Sequence, residues 1–427
     1  MESSNIEYTA KVVSPLVNGD AQLKITDKGL MLTGQFDTAE VPFAEMNKLS
    51  LYDYIVTLSA EGGDYVFSKL GNWCQPFYDA LVEVYNEAVR RSLFEKGAPI
   101  VTVQGMYSFN EPDGSAAGAA LAHVYDDCVV TMPPDLLARR VPLCFTIGMD
   151  KGDFELTLRL DTGESYSWAK LGYDTAPFTE AVEKQIRALR EKTLAAIKEI
   201  DPTLDTGQAS RLAKLVPHGA AATFSQMSGI APSFTSALEK KIAATRASES
   251  YEFFKEVSDP VNIYIGFRKN EAVQEGGAEG IAAELPAMMP EGLTAITDGE
   301  AQSPDGTDAE VQEQDPYLIW LIAPSPDGQY AAVEFAEANT ATFVYKTGGD
   351  FNSFAAKLNK ALEAIDFKRE VIRLTDEELR KPENSDYYMA AKRTAALKFI
   401  RSNFAGRVIH SSHDSWKNKL TGLWSGS

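Results

Sequence analysis

The chain has 427 residues, a net charge of −20, 44% hydrophobic and 24% charged residues. That usage belongs to a folded chain with room for two to four domains of about 100–150 residues. It excludes a disordered polymer, and an acidic folded part repels phosphate, which makes a nucleic-acid partner unlikely on electrostatic grounds. In chain order, residues 22–30 read as a first hairpin. Tyr54, Val56 and Leu58, and later residues 154–160, alternate as half-buried antiparallel strands do. The turns at 61–64 and 161–164 lead into a further strand, and each strand leads into a helix.

Residues 65–81 lie over 166–182 without a gap, and Tyr, Lys, Leu, Gly, Pro, Phe and Ala coincide at seven of seventeen places. Upstream, Val41, Pro42 and Phe43 answer Val141, Pro142 and Leu143, so the unit is about a hundred residues long and duplicated. A fainter third copy is Lys346, Gly348 and Phe354, spaced as Lys69, Gly71 and Phe77 and as Lys170, Gly172 and Phe178. The signature reads as a strand-to-helix corner. Gly71 and Gly172 supply unusual backbone, Asn72 or Asp174 caps the helix, and Pro76 and Pro177 sit in its first turn. Phe77, Leu81, Val84 and Ala88 form the apolar stripe that covers the sheet. Lysines at one place in three copies read as solvated strand-end residues or as a repeated ligand site.

The second helix runs through Lys198 and stops at Asp201-Pro202. Helices at 210–216 and 232–247 form a spacer. A third module begins near Tyr251 with strands at 262–267, 318–323, 329–335 and 341–345. Residues 270–316 interrupt it with twelve acids and no Lys or Arg; without them the remainder carries only −8. Free of aromatic residues, that insert is expected to stay disordered and solvated. Residues 375–378 start a helix, and 386–404 read as another with Leu397, Ile400 and Phe404 on one face. Residues 387–427 hold seven basic residues against the single acid Asp414. Within them Trp416, Leu420, Leu423 and Trp424 at i, i+4, i+7 and i+8, with Lys417 and Lys419, make a basic amphipathic helix. It suits an anionic membrane surface, a partner, its own protein or the acidic insert.

The reading is therefore α+β: three strand-rich modules, each an antiparallel sandwich or partly open barrel with a C-terminal closing helix, plus a helical spacer and a helical tail. The domains are 1–97, 98–200, a spacer at 201–247, a divergent module at 248–368 with the insert 270–316, and the basic tail at 369–427. Several short strands closed by one helix over about a hundred residues resemble tandem pleckstrin-homology-like modules. The resemblance implies a non-enzymatic adaptor that binds phosphoinositides, peptides or proteins. The hairpin at 22–30 offers only Lys24 and Lys28, and the second copy has Asp126-Asp127 there, so lipid headgroups are not the expected ligand.

Chemistry is sparse. No P-loop, dinucleotide fingerprint, HExxH, EF-hand loop or nucleophile elbow occurs, so neither catalytic residues nor a cofactor is implied. Of four histidines, His410 and His413 with Asp414 form the one ligand-like cluster, a weak metal candidate against capping and surface roles. Asp126-Asp127 and Glu377-Glu378 read as surface charge. Cys74, Cys128 and Cys144 lie far apart and read as free buried thiols. Residues 1–7 lack a signal-like pattern, and the longest apolar run, 318–323, is far short of the roughly 20 residues that span a bilayer. A cytoplasmic scaffold for a protein or peptide is the expected function. The alternatives are a peripheral membrane protein held by residues 387–427 and an enzyme of unrecognised type; no oligomeric state is implied.

Overall fold

The computed structural model describes residues 7–95, 97–111, 114–132, 138–245, 247–269, 316–336, 341–410 and 412–424. The acidic insert, residues 270–315, lies outside them. The first sheet is built from β1 (Glu7–Val13), β2 (Asn18–Ile25), β3 (Gly29–Thr33), β4 (Thr38–Pro42), β5 (Met46–Tyr52), β6 (Ile55–Ala60) and β7 (Gly63–Ser68) and is followed by α1 (Cys74–Ser92). The second contains β8 (Val101–Glu111), β9 (Gly114–Val124), β10 (Cys128–Met132), β11 (Arg139–Pro142), β12 (Thr146–Gly152), β13 (Glu155–Leu160) and β14 (Ser165–Ala169), and α2 (Thr175–Ile200) follows it.

The two sheets share one strand order, β4-β3-β2-β1-β7-β6-β5 and β11-β10-β9-β8-β14-β13-β12. Both turn a 3₁₀ corner after the fourth strand, at Phe43–Glu45 and Leu143–Phe145. Both then break register in the fifth, between Met46 and Lys48 and between Thr146 and Gly148. A bulge bends a strand locally, so its recurrence at one place marks a duplicated geometry. Val56 and Leu58, like Leu156, Leu158 and Leu160, point into the cores. Tyr54 does not join that alternation: it sits in the hairpin turn at φ +58° and is exposed. Phe77 and Leu81 of α1 join the first core, and Phe178 and Val182 of α2 join the second.

The strand-to-helix corner differs from expectation in one respect. Gly71 and Gly172 both take φ +58°, but so do Lys69 (+60°) and Lys170 (+57°), conformations that cost an L residue about 1–2 kcal/mol. The recurrent lysines thus mark a strained turn. Neither Asn72 nor Asp174 caps its helix, because a 3₁₀ turn runs directly into α1 and α2 and leaves no extended cap position. The hairpin at 22–30 is the second, between β2 and β3; the first turns at 14–17, which holds no Lys or Arg.

Next come α3 (Thr206–Leu215), β15 (Ala222–Thr223), α4 (Phe224–Ile230), α5 (Pro232–Ala243) and α6 (Ser248–Val257). The third sheet adds β16 (Tyr264–Lys269), β17 (Tyr317–Pro324), β18 (Tyr330–Phe335) and β19 (Ala341–Lys346). The chain continues through α7 (Phe351–Ala364), α8 (Glu370–Arg373), α9 (Asp376–Leu379), α10 (Ser385–Arg393), α11 (Ala395–Asn403), β20 (Phe404–Ile409) and α12 (His413–Trp424). This sheet runs in simple sequential order, β15-β16-β17-β18-β19-β20, and so does not repeat the first two. At its corner Lys346 stays in the strand, Gly348 and Gly349 take positive φ, and the Asp350 side chain caps α7 by accepting from Ser353 N.

Two further readings are corrected. The helix expected over 386–404 is broken at Thr394 (ψ 110°), and Phe404 belongs to β20, which pairs with β19. The tail is therefore not wholly helical. The spacer helices reach the third sheet: Phe234, Leu238 and Ile242 of α5 share one core with Ile265, Ile319 and Leu321 of that sheet and with Trp416 and Trp424 of α12.

Candidate functional site

β11 carries two adjacent arginines, and strand alternation sends them to opposite faces. Arg139 turns onto its own sheet, pairing with Glu111 at 3.0 Å and lying over Phe109. Arg140 turns outward, and its side chain is buried. Its Nε donates to Glu95, just beyond α1, at 2.5 Å; its Nη2 to Asp127, before β10, at 2.9 Å; and its Nη1 to Glu363 of α7 at 2.7 Å. The side chains of Arg140, Glu95 and Glu363 are only 4–5% exposed, so this is a desolvated cluster rather than surface pairing. The Cys128 thiol donates to Glu95 at 3.0 Å.

Three carboxylates around one guanidinium leave two negative charges to be neutralised, and burial decides which. Burial pushes Glu363 up to about 7 against the pull of Arg140, and burial also raises Glu95. Asp127 is opposed by burial too, but Arg140, with Cys128, His218 and Arg268, holds it below its ordinary value. The arrangement is an Arg140–Asp127 ion pair flanked by two carboxyls that readily take protons. Asp127, expected at the surface, is brought into this cluster by the fold, while Asp126 stays exposed.

Because its folded value exceeds its ordinary one near 4.5, Glu363 stabilises the fold in full below that value and loses the contribution as pH rises through about 7. We expect Glu363→Gln to match the parent near pH 5 and to exceed it at pH 8 by about 2 kcal/mol in urea unfolding. A difference independent of pH would contradict this.

Glu95, Asp127 and Cys128 place their ligand atoms within 4.8 Å of one another, a spacing open to a cation, but Arg140 supplies positive charge at two of the three. Burial holds the Cys128 thiol well above its ordinary value, which keeps it protonated and weakly nucleophilic. Accordingly, iodoacetamide at pH 8 should leave Cys128 unmodified in the native chain and alkylate it in urea; equal rates by mass spectrometry would contradict the arrangement.

The sequence-predicted metal candidates do not converge. His410 Nε2 faces Glu334 at 3.1 Å, His413 Nδ1 faces Glu249 at 3.3 Å, and Asp414 lies in the first turn of α12. Different carboxylates hold the two imidazoles. The residues suited to a membrane or a partner are likewise engaged. Trp416, Leu420 and Trp424 are buried against Phe253 and Phe254, and Trp416 Nε1 donates to Thr342 at 2.7 Å. Lys417 lies over Phe253 and near Glu256, which leaves Lys419 as the exposed member of the set.

A second feature escaped sequence reading, because it depends on segments more than 190 residues apart. On the first sheet, α10 packs beside α1 and over the Phe43–Glu45 corner. Lys392 pairs with Glu61 in the β6–β7 turn, and the Arg393 guanidinium donates to Met46 O. On the second, α7 packs on β11, and Lys360 pairs with Glu164 in the β13–β14 turn. Each of the two sheets thus meets a helix from further along the chain, whose lysine pairs with an acid in the turn before the seventh strand. Tyr85, Tyr388 and Arg393 bring buried polar atoms to the α10 seat, where the Arg393 guanidinium lies over the Tyr85 ring.

Among the described residues, no helix is long and apolar enough to cross a membrane. No protein-family model and no curated protein matches the chain.

Proposed function

We propose that the chain is a non-enzymatic scaffold whose first two modules are pleckstrin-homology-like and bind a helix or peptide of a protein partner. The observation that carries this is the recurrent seat: two sheets of one strand order present the same corner and acidic turn, and each receives a basic residue of a helix foreign to its own segment. Helix-in-groove recognition works this way, with an apolar stripe for affinity and a few charges for register. The duplicated bulge and the helix following each seventh strand support the family reading. Free, buried or half-buried cysteines fit a reducing, cytoplasmic compartment.

The test uses the full chain with Lys392→Glu and Arg393→Glu, which loosens α10. A labelled peptide of residues 383–394 should then raise in fluorescence anisotropy, binding at least about tenfold more tightly than to the parent, where the covalently linked helix competes at high effective concentration. Adding Glu61→Lys should remove that gain. If hydrogen exchange shows residues 385–393 released from a folded chain and the peptide still does not bind, the module face is not a helix receptor.

A further inference from the structure

We propose that the cavity between α2, the turn Pro217–Gly219 and β16 is a binding site for a small organic anion: a phosphate or carboxylate carried on a compact apolar body. The cavity measures about 190 Å³. About 150 Å³ is enough to take a benzene ring, so one ring with one charged group is the right scale. It lies where the second module meets the third sheet, the kind of junction at which ligand sites concentrate.

Charge selects the class of ligand. In a chain of net charge −20, the lining brings Lys192 of α2, Arg268 and Lys269 of β16 and the imidazole of His218 together with one lining carboxylate, Glu199, while Asp127, which His218 and Arg268 also face, lies beyond the lining. Glu199 holds Lys269 at 2.7 Å, and Asp366, beyond the lining, holds Arg268 at 3.1 Å. Each acid engages only part of its partner's donors, since a guanidinium carries five N–H groups and an ammonium three. Glu199 and Asp366 therefore orient Lys269 and Arg268 at the rim and leave some of their N–H groups for an incoming oxyanion. Ala195, Ala196 and Phe267 supply apolar wall for the rest of the ligand.

The turn is also built rather than incidental. His218 is held at φ 50°, ψ 30°, unusual for a side-chain-bearing residue, by its N–H donating to the buried Thr193 Oγ1 at 3.1 Å. Beside it Gly219 takes φ +77°, and a Cβ there would fall 1.5 Å from Phe267 O, so only glycine lets the turn press onto β16. Strained backbone of this kind persists where surrounding structure fixes it, and it clusters at ligand clamps.

The experiment titrates the full chain with phenyl phosphate, inorganic phosphate and benzyl alcohol by calorimetry. Phenyl phosphate should bind saturably with Kd on the order of 1 mM or tighter. Inorganic phosphate should bind more weakly and benzyl alcohol least. Lys192→Gln and Lys269→Gln should each weaken phenyl phosphate about tenfold with the melting transition retained, while Lys48→Gln, an exposed lysine of the first sheet, should leave it unchanged. No saturation up to about 10 mM, equal loss in the Lys48 variant, or benzyl alcohol binding as well as phenyl phosphate would each overturn the proposal.

Discussion

Arg140→Ala should lower the free energy of unfolding by about 3–5 kcal/mol, the usual cost of removing one partner from a buried charge cluster. The loss comes from what stays behind. Glu95 and Glu363, each 5% exposed, lose their shared donor and must remain ionised in a desolvated site or take up a proton. Since Glu363 already titrates near 7, the penalty should be smaller at pH 6 than at pH 8. Arg140→Lys should recover little, because an ammonium cannot present three separate donors in the plane that Glu95, Asp127 and Glu363 require. The combined variant Arg140→Met, Glu95→Leu, Glu363→Leu should regain most of the stability, as apolar replacement of buried ion clusters often does. Urea midpoints decide the matter, and a change under about 1 kcal/mol for Arg140→Ala would show that the cluster is solvated in solution.

Trp416→Ala should cost a similar amount, about 3–5 kcal/mol. Its ring is 2% exposed and stands 5.2 Å from that of Phe253, and its Nε1 donates into a buried network in which Thr342, Glu334 and His410 already hold one another. Truncation leaves both a void and a Thr342 hydroxyl with one donor fewer. Lys419→Gln, on the exposed side of α12, should stay within about 0.5 kcal/mol. A membrane anchor would reverse that order: the tryptophan variant would keep its stability, and the lysine variant would lose vesicle binding. Thermal and urea unfolding of the two variants separate these outcomes.

What the sequence made legible was local. The Lys-Leu-Gly corner, the alternation at 154–160 and the apolar stripe from Phe77 to Ala88 identified strands, turns and helices because each depends on neighbours within a few residues. Trp416, Leu420 and Trp424 were legible as one face, but not what that face meets, since Phe253 and Phe254 come from a helix about 160 residues earlier. The third sheet escaped as a separate topology because the Lys346, Gly348, Phe354 spacing describes only its corner, whereas strand order is set by β15 and β20 at its two edges. Asp126-Asp127 looked like paired surface acids. Pairing with Arg140 after burial separates their fates, and the one available signal was an Arg-Arg pair inside a short strand of an acidic chain. The cavity beside His218 left no trace, since backbone strain is a property of the fold rather than of spacing.

The seat of α10 has a consequence for biosynthesis. The surface formed by α1 and the Phe43–Glu45 corner is complete once residue 92 is made, but Tyr388 and Met389, which cover it, follow nearly 300 residues later. At about 5–20 residues per second that is a delay of roughly 15–60 s, during which the first module stands finished apart from its lid. The same helix places Ala390 in the core of α7, so its arrival completes two cores at once. A nascent chain stalled before residue 385 should therefore carry an open apolar face that a chaperone can hold.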